Sequence, residues 1–167
     1  RKRKALRKER AAAAAHGVTI RTLTGDAIEP RHWDAFYRFY LNTVDRKWAH
    51  AYLNRAFFDR LGETMAERVV MVVAETGCGT PVGAALNLRG PDALYGRYWG
   101  CAAEYKFLHF EVCYYRAIDF AIARGLARVE AGAQGAHKLA RGYLPRKTYS
   151  LHYLAHPGLS RAVANYL

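Results

Sequence analysis

The stretch RVVMVVAETGCGTPVGAALNLRGPDALYGRYWGC (68–101) decides the architecture. Its first seven residues, RVVMVVA (68–74), hold after Arg68 a continuous apolar and largely β-branched run, the pattern of a strand buried on both faces. A turn signal, ETGCGT (75–80), leads into a second run, PVGAALNL (81–88). Gly90-Pro91-Asp92 then turns the chain into ALYGRYWGC (93–101). Three strands joined by turns this short predict an antiparallel meander.

Toward the C-terminus, Phe110, Cys113, Tyr114, Ala117, Ile118, Ala121 and Ile122 recur at helical spacing. Gly125 is placed to end that helix. A strand is expected over 126–131 and a glycine-rich polar loop with one helical turn over 132–145. A last strand follows over 148–154, and a terminal helix starts at Pro157. Toward the N-terminus, VTIRTL (18–23) alternates as a strand, and a helix opens near Pro30. On it Trp33, Phe36, Tyr37, Tyr40 and Leu41 make an aromatic stripe that reads as core. A further helix over 52–64 carries Leu53, Ala56, Phe57 and Leu61 on one face. A meander followed by a crossover helix and another strand implies an α/β (α+β) fold, a mixed β-sheet with helices on both faces.

The bulk properties agree with one domain. The chain has 167 residues, 51% of them hydrophobic and 24% charged, enough for a sizeable core and unlike a disordered segment. No run approaches the roughly 18 apolar residues of a membrane-spanning helix. Cys78, Cys101 and Cys113 form no CxxC pair and are odd in number, which argues against a zinc site or a disulfide framework. Reduced thiols of a cytoplasmic protein without a bound metal are the expectation.

The net charge is +12, and residues 1–10 carry seven basic side chains against Glu9, half of that excess. Residues 1–16 therefore read as a basic helical arm ahead of a domain spanning 17–167. A polyanion (a phosphate-bearing cofactor, an RNA or an anionic membrane surface) is the partner such an arm suits. Starting at Arg1 and ending in a helical pattern, the chain reads as a piece of a longer protein.

Polar groups concentrate between Tyr95 and Ser150. Glu111, Glu130, His109, His137, Gln134, Lys138 and Arg141 fall at strand ends and helix starts, where α/β folds place ligands. Gly132, Gly135 and Gly142 allow backbone N–H groups to approach an anion or a carbonyl oxygen. Four strings in and around this region, KWAHAYL (47–53), YGRYWG (95–100), LHFEVCYY (108–115) and GAQGAHKLARGYLP (132–145), are followed by TYSLHYL (148–154). Together they resemble the GNAT superfamily of N-acyltransferases and, within it, the FemAB-like branch of peptidoglycan biosynthesis or recognition proteins.

The resemblance implies a GNAT-type fold and transfer of an acyl or aminoacyl group to an amine, including one of a cell-wall precursor. It also implies that this chain is the C-terminal half of a protein with two such units. Where GNAT enzymes carry an R/Q-x-x-G-x-G/A pyrophosphate loop, this chain reads GCAAEYKFLHFE (100–111). The donor is thus left open between acyl-CoA and aminoacyl-tRNA. An RNA-binding or peptide-recognition module on a non-catalytic scaffold is the alternative.

Acyl transfer to an amine needs a proton acceptor and a donor to the developing oxyanion. Glu111 or Glu130 suits the first role, directly or through His109. Equally, Glu111 suits the positive end of a helix and Glu130 a strand-end ion pair. Gln134 and its backbone suit the second role. Lys138 and Arg141, three apart, share a helical face and with Arg146 and Lys147 suit a phosphate or a substrate carboxylate. Tyr98 and Trp99 point to opposite faces of a strand, so one lines a cleft. Tyr149 and His152 are expected to frame that cleft, with His137 beside it.

Overall fold

The structure, a computed structural model, describes residues 2–46, 50–133 and 135–166. In chain order the elements are α1 (Lys2–Ala14), β1 (Thr19–Thr24), α2 (Pro30–Arg46), α3 (Arg55–Met65), β2 (Val69–Glu75), β3 (Pro81–Arg89) and β4 (Ala93–Cys101). A central helix follows in three parts: α4 (Leu108–Phe110), a π-helical stretch (Glu111–Tyr115) and α5 (Arg116–Ala123). After it come β5 (Arg128–Glu130), α6 (Ala136–Leu139) and α7 (Pro157–Tyr166). The five strands lie side by side in sequence order. β1 to β4 run antiparallel, and β5 joins β4 in parallel through the crossover of the central helix.

The unbroken apolar run of β2 is explained by two covered faces. All seven of its residues are buried. Val69, Met71 and Val73 pack with Trp33, Phe36, Phe39 and Tyr40 of α2 and Phe58 and Leu61 of α3. Val72 and Ala74 pack with Leu108 and Val112 of the central helix, and Val70 with Ala117. Each such valine contributes about 1.5–3 kcal/mol through burial. The sheet is mixed, with helices on both faces.

Local signals set the helix ends. Asn54 caps α3 by accepting from Phe57 N–H at 3.0 Å, so this helix starts at Arg55 and not at residue 52. Gly125, with φ of 64°, closes the central helix. α1 does not stand free. Ala13 is fully buried, and Glu9 and Arg10 reach the central helix and Arg141.

The expected strand over 148–154 is not formed. Tyr149, Leu151 and Tyr153 are 92%, 102% and 91% exposed and lie outside the sheet. Alternation gives a segment a face but no neighbour. β5, only three residues long, offers too short an edge to hold another strand. Among the described residues, no helix is long and apolar enough to cross a membrane.

Candidate active site

The site begins where β4 leaves β5. Their ladder has three pairs and ends at Tyr95–Glu130, so among the described residues Gly96–Cys101 continues with no strand beside it on that side. At the same place β4 bulges: Leu86 pairs with Tyr98 and Asn87 with Gly96, leaving Arg97 as the extra residue. A bulge re-aims side chains and ends pairing, and a glycine within a strand is its usual sequence mark. Gly96 was that signal.

Beyond the bulge, Ala102 N–H bonds Val82 O on the β3 side. Antiparallel alternation then turns the N–H and C=O of Trp99 to the bare side. The carbonyl accepts from Thr43 Oγ1 of α2 at 3.1 Å. The Trp99 N–H lies on that bare edge as a backbone donor suited to an oxyanion.

The two faces of this edge carry different chemistry. On the central-helix face, the Trp99 ring lies 5.3 Å from His109, which lies 5.4 Å from Tyr114 and 6.1 Å from His137. Tyr114 Oη and His137 Nε2 are 3.0 Å apart. Burial pushes the Tyr114 phenol up to about 12, so it holds its proton. Arg141 lies 3.4 Å over the Phe110 ring and donates to His137 O and Glu9 Oε2, at 2.7 Å each. On the α2/α3 face, Tyr98 packs edge-on to Tyr40 and meets the Tyr52 hydroxyl at 2.5 Å.

The residues marked in the sequence therefore separate. His109, His137 and Trp99 gather on one face, with Arg141 beside them, and Tyr98 stands on the other. The Glu111 carboxylate is buried and accepts from Arg10 at 2.9 and 3.0 Å and from Arg116 at 3.1 Å. Glu130 is half exposed and takes Arg128 at 3.0 Å. Lys138 Nζ donates to the carbonyls of Ala131, Gly132 and Ala133 at 2.7–3.1 Å, so its three N–H bonds tie the loop. Tyr149 is exposed, and His152 meets Ser150 at 2.8 Å. Gln134 and Trp48 lie outside the described residues. Burial pushes the Cys113 thiol well up, which keeps it protonated and a poor nucleophile.

Tyr52, Tyr114 and Arg97 were missed by sequence reasoning. In the sequence Tyr114 falls on the apolar stripe of the helix, which marks it only as core. Tyr52 and Arg97 matter through each other, across 45 residues of chain.

Coenzyme A, the donor group of GNAT enzymes, would need bare backbone amides ahead of the central helix. Residues 102–107 contain no glycine, and the N–H groups of Leu108, Phe110 and Glu111 already bond Tyr105 and Phe107 carbonyls. Phe107 holds φ of 65°, rare for a bulky side chain, with Lys106 Nζ 5.3 Å over its ring. Side chains stand where a pyrophosphate cradle would be. These residues do not fit that group.

Solved structures share the architecture. An aminoglycoside acetyltransferase from an uncultured soil metagenomic sample, in complex with sisomicin, is similar with a TM-score of 0.57 and 12% identity, over 85% of this chain and 97% of that one. AAC(6')-Iy in complex with the bisubstrate analogue CoA-S-monomethyl-acetylneamine gives 0.54 and 10%, over 83% and 99%. The ribosomal-protein-alanine N-acetyltransferase of Brucella melitensis biovar Abortus gives 0.51 and 14%, over 81% and 99%. Identities this low speak for the fold alone. No curated protein matches the sequence. The FemAB-like family profile, described as peptidoglycan biosynthesis/recognition, matches residues 1–167. With that match over its whole length and an acetyltransferase sheet beneath it, the chain belongs to the FemAB-like family and has the GNAT fold.

Proposed function

We propose that this chain is an N-acyltransferase unit that moves an acyl or aminoacyl group to an amine of a cell-wall precursor in the cytoplasm. The observation that carries the reading is the bare edge of β4. A donor laid across Gly96–Cys101, where β5 no longer pairs, brings its carbonyl oxygen to the Trp99 N–H. A fixed backbone donor at a developing oxyanion is worth about 3–4 kcal/mol of barrier. His109, His137 and Tyr114 line the donor side. Glu111 and Glu130, engaged by guanidinium groups, act as positioning residues.

The charge distribution favours a tRNA-borne aminoacyl ester over a coenzyme A thioester. Glu9 and Arg10 hold α1 to the domain, while Lys2, Arg3, Lys4, Arg7 and Lys8 remain exposed for phosphates. In the whole protein this unit forms the C-terminal of two. The test is to give that protein, with a precursor peptide bearing a free amine, either aminoacyl-tRNA or acyl-CoA thioesters, and weigh the peptide. An amide product with the tRNA ester is expected. No mass gain with any donor would overturn the function.

A further inference from the structure

At the β4 bulge two donors converge on one oxygen. Tyr98 Oη lies 2.5 Å from Tyr52 Oη, and Arg97 Nη2 donates to the same atom at 3.3 Å. The Arg97 guanidinium also lies 4.4 Å over the Tyr98 ring. An arginine can only donate. Burial disfavours ionisation of Tyr98 and pushes its phenol up to about 12, so Tyr98 keeps its proton and donates as well. Tyr52 is left as the acceptor. Those hydrogen bonds, first from Tyr98, with the Arg97 charge beside them, hold the Tyr52 phenol below its ordinary value.

The arrangement is held in place. Leu53 N–H donates to Tyr40 Oη at 3.3 Å, and Asn54 caps α3, so the backbone on one side of Tyr52 is fixed. Yet Tyr52 itself is 69% exposed, open to a ligand. Its oxygen sits at the bulge where β4 becomes bare, on the face opposite His109 and Trp99.

We propose that Tyr52 is the base of the transfer, its hydroxyl oxygen taking the proton of the acceptor amine, with Tyr98 and Arg97 as positioning residues. The inference rests on the acyl-transfer reading above. The Tyr52 phenolate removes one proton from the substrate ammonium, and the freed amine attacks the donor carbonyl. A C–N bond forms, the carbon–oxygen bond of the ester breaks, and its electron pair leaves with the tRNA hydroxyl oxygen. That oxygen takes the surplus proton on nitrogen, and Tyr52 returns its own to water. The products are the amide and the free hydroxyl, and one proton is released overall.

Two measurements on the full protein decide the matter. The first is an ultraviolet titration of phenolate absorbance, independent of turnover. One tyrosine is expected to ionise ahead of the others, to vanish in Y52F and to move to higher pH in R97Q. The second is the pH profile of kcat/KM for amide formation. Tyr52→Phe, at an exposed position, is expected to lose about 100-fold or more, and Arg97→Gln to shift the rising limb to higher pH. If Y52F acylates like the parent with the same profile, Tyr52 is not the base, though the transferase stands. A titration unchanged by Y52F sinks the inference whatever the activity. If the early phenol is present but no donor gives product, the transferase reading fails and the base role falls with it.

Discussion

The Glu111 carboxylate lies between Arg10 and Arg116 in the π-helical stretch, and Arg10 also holds Asp119 at 2.6 Å. Glu111→Gln keeps the shape and removes the charge. Breaking a fully buried ion pair costs about 3–5 kcal/mol, but Arg10 is partly exposed, so a loss of about 2 kcal/mol is expected. Denaturant unfolding measures it. His32 gives a pH signature. It is buried, its Nδ1 accepts from Glu29 N–H at 2.9 Å, and its Nε2 faces Glu75 at 3.5 Å. Burial, helped by Arg31, holds His32 below its ordinary value against the weaker pull of Glu75 and Glu29. A histidine that protonates less readily when folded stabilises the protein above its unfolded value of about 6.5. That contribution is lost as the pH falls below it toward the folded value. The denaturation midpoint is therefore expected to drop below about pH 6.5, with a shallower drop in His32→Gln. Equal slopes would remove His32 from the account. None of this was legible from residue type, because the partners of Glu111 and His32 lie up to 101 positions away.

Elements built from local pattern were the legible part. β1 to β4, α2 and the central helix follow from runs, alternation and caps within a few residues of each position. The strand expected over 148–154 failed because strand formation needs an edge, which no local pattern supplies. The contact between α2 and β4 shows how tightly two elements can depend on one residue. A Cβ on Gly100 would stand 2.5 Å from Phe39 C and 2.7 Å from Phe39 Cβ, and its nearest neighbour would be Phe39 O. Helix backbone cannot yield as a flexible side chain does. Gly100→Ala should push α2 away, lengthen the bond from Thr43 to Trp99 and cost about 1–3 kcal/mol. A melting temperature and activity equal to the parent's would contradict that close approach.

At the scale of the molecule, the sheet was readable and the site only in part. His109, His137 and Trp99 fall within the region marked from the sequence, whereas Tyr52 and Tyr98 meet only because α2, α3 and β4 pack. The positive charge is similarly divided between side chains used for docking and side chains left for solvent. If the exposed face of α1 holds tRNA, affinity should fall steeply with salt, and replacing Lys4, Arg7 and Lys8 by Gln should flatten that dependence. A salt slope unchanged by the triple substitution would place the nucleic acid elsewhere. The docking of α1 also fixes an order of events during synthesis. Arg10 waits for Glu111 and Asp119, and Glu9 for Arg141, 132 positions later. At ribosomal speed that delay is on the order of ten seconds. Through it the basic helix is made without the partners it docks on in this domain, close to the ribosome's own RNA. Although translated first among these partners, it can dock on the domain only once the chain through Arg141 has been made.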